Sequence, residues 1–94
     1  MYYLYIILCA DNTLYTGITN DLFNRMKVHE EGKGSKYVRS RLPIKIIHTE
    51  EFVDKSSACK REAEIKTWPR AKKIKLLKLD LEFEHEKPVK LVGK

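Results

Sequence analysis

Apolar positions along the chain follow two different periods. From Tyr2 to Cys9, and again from Leu14 to Thr19, aromatic and β-branched residues crowd together, and Ala10-Asp11-Asn12-Thr13 between them is turn chemistry. This pattern predicts an antiparallel hairpin. Side chains alternate along a strand, so Leu4, Ile6 and Leu8 share one face of the first strand and Tyr3, Tyr5, Ile7 and Cys9 the other. In the second, Leu14, Thr16 and Ile18 oppose Tyr15, Gly17 and Thr19. The period of two permits Tyr5 and Tyr15 to stand on the same side of one sheet.

After Thr19 the period lengthens. Thr19-Asn20-Asp21 supplies N-cap residues, Asp21 to Glu31 is helix-compatible, and Gly32 and Gly34 end it. At roughly 100° per residue, Leu22, Arg25, Met26 and His29 share the stripe that faces the sheet, so an arginine and a histidine point inward. Ser35 to Arg41 predicts a short helix stopped by Pro43, and Ile44 to Val53 a third strand. Asp54, Ser56 and Ser57 offer caps for a helix to about Trp68, on which Ala58, Glu62 and Ile65 lie together, Cys59 is adjacent and Glu64 points the opposite way. Pro69 interrupts it, and Ala71 to Leu79 continues as a lysine-rich amphipathic helix. The fold expected is α/β of the α+β kind, a three-stranded antiparallel sheet flanked by helices. Residues 1–80 would form the domain, with 81–94 as a loosely ordered C-terminal tail.

Composition narrows the classes. Ninety-four residues make one core, and 43% apolar with 34% charged residues exclude disordered and fibrous chains. The longest apolar run, Tyr2 to Ala10, is too short to span a bilayer and lacks a basic leader, which points to a cytoplasmic protein without membrane insertion. Cys9 and Cys59 form neither a CxxC pair nor a Cys/His ladder, so no zinc site or disulfide framework is indicated. The net charge is +6, and the last fourteen residues hold three Lys and three Glu, so the whole excess belongs to the folded part. Such a balance suits a protein that meets polyanions.

Three features converge: tyrosines paired across a hairpin, a basic pair on the inner face of one helix, and a carboxylate, Glu62, on the inner face of another. Singly each has an ordinary explanation; Glu62, for example, could be a boundary residue with a lysine partner. Together they supply hydroxyls, cations and a hard anionic ligand, which is what phosphodiester cleavage with one divalent ion requires. One carboxylate cannot build a two-metal clamp. No Ser/His/Asp triad, P-loop or GxGxxG competes.

These residues also carry a resemblance. Tyr3-Leu4-Tyr5, then Tyr15-Thr16-Gly17, then Arg25 and His29, then Glu62, resembles the GIY-YIG nuclease superfamily over about residues 2 to 79. The phrases Leu14 to Leu22 and Arg61-Glu62-Ala63-Glu64-Ile65-Lys66 are similar to its small stand-alone bacterial subgroup. Two positions depart from the family pattern: Tyr3 stands where the family has glycine and Thr16 where it has isoleucine. Both tyrosines of the chemistry are retained.

The resemblance implies a metal-dependent endonuclease that hydrolyses phosphodiester bonds. Glu62 would hold a single Mg²⁺ or Mn²⁺, and Arg25 would offset charge on the scissile phosphate. Tyr5 would be the general base for water, with Tyr15 assisting and His29 orienting or relaying a proton. A phenol near its ordinary pKa of about 10 is a poor base at neutral pH. Either the metal and Arg25 favour phenolate, or His29 takes the proton. Lys33, Lys36, Arg39 and Arg41 after the first helix, with Arg70 and Lys73 on the last, would clamp the nucleic-acid backbone, DNA being favoured over RNA. The alternative is a binding module of the same fold with little or no cleavage, acting with a protein partner that targets it.

Overall fold

A computed structural model describes residues 1–81. Strands β1 (Tyr2–Cys9), β2 (Leu14–Thr19) and β3 (Ile44–Phe52) form one antiparallel sheet in the order β2-β1-β3. The expected hairpin is present, with Tyr5 opposite Gly17 and Ile7 opposite Tyr15. The turn places Asn12 at φ 70°, a left-handed conformation that asparagine tolerates. The register of β3 against β1 shifts between Ile6 and Ile7, a bulge that inserts Ile47.

Helix α1 (Leu22–Glu30) is capped by the Asp21 carboxylate, which accepts from the Asn24 N–H, and Gly32 at φ 76° follows its last turn. Ser35 caps the four-residue α2 (Lys36–Arg39), and Asp54 caps α3 (Lys55–Lys66). Helix α4 (Arg70–Leu77) begins immediately after Pro69 and ends at Lys78, whose φ of 54° turns the chain back so that Leu79 reaches the core. The four expected helices therefore exist, α3 and α4 each ending about two residues early. The cause at α4 is the left-handed turn at Lys78, which amphipathic periodicity does not signal.

Both faces of β1 are buried, which explains why Leu4 through Cys9 are all fully buried. On one face Leu4 and Ile6 pack with Ile65 of α3, Leu79, and Ile74 and Leu77 of α4. On the other, Tyr5, Ile7 and Cys9 meet Tyr15 and the α1 residues Leu22 and Met26. The central strand is thus sandwiched, with the tyrosine face turned to α1. Leu81, placed by the sequence reading in the tail, packs against the Leu4 cluster. The rest of that tail lies outside the described residues. Among the described residues no helix is long and apolar enough to cross a membrane.

Candidate active site

Tyr5 lies across the bare Cα of Gly17, its cross-strand neighbour. A Cβ at Gly17 would stand 2.5 Å from the Tyr5 hydroxyl oxygen and 2.7 Å from Cζ, so this ring position requires glycine. Its hydroxyl reaches His29 Nε2 at 3.0 Å, a buried hydrogen bond between β1 and α1. Tyr15 stands on the same face, its ring centroid 6.4 Å from that of Tyr5 and 5.6 Å edge-on from His29. The two tyrosines and the histidine thus make one aromatic cluster.

Charge acts on that cluster. Burial pushes the Tyr5 hydroxyl above its ordinary pKa; the neighbouring Arg25, by hydrogen bonding and by charge, pulls the other way, while Tyr15 and Glu62 add to the rise. Burial first, and then the Arg25 charge, hold His29 below the ordinary histidine range. The resting pair is therefore a neutral phenol and a neutral imidazole. A cleft of about 430 Å³ opens beside them, between α1 and the loop after it, walled by Tyr15, Arg25, His29, Lys33, Gly34 and Ser35. A separate, more apolar depression at Glu30, Leu42, Pro43 and Ile44 includes none of the proposed site residues.

Glu62 sits on α3, whose Ile65 packs on the opposite face of the sheet, yet its charge is felt at Tyr5. Its side chain is 23% exposed and its carboxylate lies 3.1 Å from Lys66 one turn on. The lysine partner weighed as its ordinary explanation is real. Glu64 points away, more exposed, and accepts from Arg61. Among the described residues no group of three or more His, Cys, Asp or Glu stands together as a metal-binding cluster.

The expected clamp residues divide. Lys33 and Lys36 are exposed, as is Arg39, and Lys33 makes a long 3.9 Å contact with Glu31. Arg41 is committed internally: it donates to Asp11 at 2.9 Å, to the Tyr37 carbonyl and to Ser40 Oγ, and its guanidinium covers the Tyr37 ring at 3.8 Å. On α4, burial and then the charges of Lys66 and Arg70 lower the Lys73 pKa, so these three cations lie close enough to repel one another, and Lys66 among them pairs with Glu62.

Sequence reasoning missed Tyr37. It stacks on Tyr15 with centroids 5.8 Å apart and joins the hairpin turn to the cluster through Arg41 and Asp11. It missed Gly34 as well, whose missing side chain leaves room for His29. Neither has a periodic signal: Tyr37 meets a residue of the distant hairpin, and the Gly34 contact depends on the loop folding back against α1.

A three-stranded sheet in this order, with helices on both faces and an aromatic cluster under α1, defines a GIY-YIG domain. The family model described as the GIY-YIG catalytic domain matches residues 1–75, so the chain belongs to that family. Within it the similar proteins are UPF0213 proteins. One from Natronomonas pharaonis is 49% identical over 76 residues, 81% of this chain and 89% of the relative. Another from Bacillus pumilus is 42% identical over 93 residues, covering 96% and 95%. Two solution NMR structures share the fold. The UPF0213 protein BH0048 from Bacillus halodurans has a TM-score of 0.55 at 42% identity, covering 83% and 84% of the two chains. The protein EF2693 from E. faecalis has a TM-score of 0.60 at 39% identity, covering 82% of each.

Proposed function

We propose that this domain binds nucleic acid by seating a backbone phosphate in the cleft beside Tyr5 and His29. The observation that carries the reading is the cleft's wall, where Arg25 and Lys33 face a buried Tyr5–His29 pair. Arg25 offers the forked donor geometry that matches a phosphate. Lys33, Lys36 and Arg39 extend the cation surface on that side. The Lys66, Arg70 and Lys73 charges repel one another, and a second phosphate would relieve that repulsion. None of these contacts reads a base, so affinity is sequence-tolerant and salt-sensitive.

Hydrolysis of the seated phosphodiester is the second reading, favoured by the buried Tyr5–His29 hydrogen bond, which sets a proton-carrying pair beside the cleft. A single divalent ion suits the donor set: one carboxylate, Glu62, leaves most positions to water and phosphate oxygen, as Mg²⁺ prefers. Such an ion would supply charge stabilisation and an acidified water. Arg25 would offset charge on the non-bridging oxygens, and Tyr5 would hold or accept a proton at its hydroxyl oxygen, with Tyr15 bounding the site. The test is incubation of the pure protein with duplex, branched and single-stranded DNA and RNA, with Mg²⁺, Mn²⁺ or chelator. Metal-dependent cleavage of any of these supports hydrolysis; salt-sensitive binding without cleavage leaves the binding reading standing; no binding removes both.

A further inference from the structure

His29 is 2% exposed, and only one of its ring nitrogens is accounted for. Nε2 meets the Tyr5 hydroxyl at 3.0 Å, while Nδ1 is buried without a hydrogen-bond partner among the described residues. What Nδ1 faces is Gly34. A Cβ built there would stand 2.7 Å from Nδ1 and 3.0 Å from Cε1. The backbone carbon of the loop is therefore packed against the nitrogen.

A neutral imidazole carries one N–H and one lone pair, and the bond made by one nitrogen decides which of them holds the proton. A histidine that accepts at Nε2 keeps its proton on Nδ1, normally held there by a carbonyl or carboxylate. Among the described residues no acceptor lies within hydrogen-bond reach of that nitrogen, and the Gly34 backbone packs beside it. An Nδ1–H would be a buried donor left without an acceptor, whereas a bare lone pair there costs less. We propose that His29 rests as the Nε2–H tautomer, donating to the Tyr5 hydroxyl oxygen, and that Gly34 is the positioning residue that sets this tautomer.

The direction of that bond changes the role of the histidine. His29 becomes a donor that acts alongside Arg25 to favour negative charge on the Tyr5 oxygen, next to the proposed phosphate cleft. His29 is then not the terminal proton acceptor. This consequence rests on the phosphate-binding reading above; the tautomer itself is a property of the free protein.

The test is long-range proton–nitrogen NMR on the ¹⁵N-labelled full chain without nucleic acid, at about pH 8, above the ordinary histidine range. The His29 signals are assigned by their loss in His29→Gln. A protonated-nitrogen shift at Nε2 and a lone-pair shift at Nδ1 are expected. The reverse pattern, or an average of the two forms, overturns the proposal. Gly34 is exposed on a loop, so Gly34→Ala should fold, which the amide spectrum checks. Its Cβ should displace the ring, shift the Tyr5 signals and mix the tautomers. Retention of the parent pattern overturns the role of Gly34. Because no nucleic acid is present, failure of the protein to bind or cut one leaves this readout unaffected.

Discussion

The Glu62 carboxylate and the Lys66 ammonium lie 3.1 Å apart, one helical turn from each other on α3. The pair is partly exposed and worth about 0.3–0.5 kcal/mol at such a site, too little to exclude a divalent ion. A metal at Glu62 must nevertheless displace Lys66. Lys66→Gln should therefore tighten Mn²⁺ binding about twofold, and Glu62→Gln should abolish binding at this carboxylate and any metal-dependent cleavage while leaving the fold. Glu64→Gln is the control, since Glu64 faces solvent and Arg61. Calorimetric titration of the four proteins with Mn²⁺ decides it; equal affinity in parent and Glu62→Gln would remove Glu62 from the site.

Gly17 bears on stability and on the Tyr5 contact at once. A Cβ 2.5 Å from the Tyr5 oxygen forces the ring away from His29. Gly17→Ala should lower stability by about 1–3 kcal/mol, the usual scale of overpacking. The same variant should shift the Tyr5 ring resonances. A urea midpoint unchanged from the parent would show that Tyr5 has free space that the geometry denies it.

The buried pair also sets a pH profile. His29 is held below its ordinary pKa of 6.5, by burial and then by Arg25, so as pH falls past about 6.5 the unfolded chain takes up a proton that the folded chain refuses. Stability falls with pH in that window. Tyr5 is raised above 10.0, mainly by burial, so the folded chain keeps a proton that the unfolded chain loses, and stability falls again above about pH 10. Asp11, Glu50 and Asp54, all lowered, act only in a more acidic window. Urea midpoints at a series of pH values should decline from neutrality to the carboxylate range. His29→Gln should flatten that decline and spare the more acidic one.

How much of this was legible in the sequence differs by element. The hairpin was legible because alternation and turn residues are local; that both faces of β1 are buried emerged only from the packing of α1 on one side and α3 with α4 on the other. Arg25 and His29 were placed inward by helical spacing alone, and Arg25 is half-buried and His29 buried as that spacing requires. Arg41 shows the limit. Its charge read as a phosphate clamp, but Asp11, thirty residues earlier, and the Tyr37 ring engage it. Spacing along one element cannot reveal a partner contributed by another. The metal question has the same origin, because Glu62 and Tyr5 are brought near each other only by the packing of α3.

Binding should follow the cations that remain uncommitted. Lys33 and Lys36 flank the cleft from exposed positions, so Lys33→Gln with Lys36→Gln should weaken affinity on every sequence to a similar degree and lower the log–log salt slope by about two. Arg41→Gln should instead lower stability and leave the slope nearly unchanged, since its guanidinium is already neutralised by Asp11. Fluorescence anisotropy over a range of salt concentrations separates the two. A salt-independent affinity would point to a protein partner instead.

Arg25 separates a binding site from a catalytic one. It is half-buried on α1, lines the cleft, and acts on both Tyr5 and His29. If it only anchors a phosphate, Arg25→Ala weakens affinity and leaves single-turnover cleavage at saturating nucleic acid nearly unchanged. If it meets charge that grows in the transition state, that rate falls by about a hundredfold or more, the scale of losing one preorganised donor. The second outcome is expected wherever the parent cleaves, because Arg25 favours charge on the Tyr5 oxygen and would stand at the proposed reacting centre. Arg25→Lys keeps the charge and loses the fork, and should bind well and cut poorly. A lysine variant that cuts like the parent would mean that charge alone suffices and that the fork has no part in the chemistry.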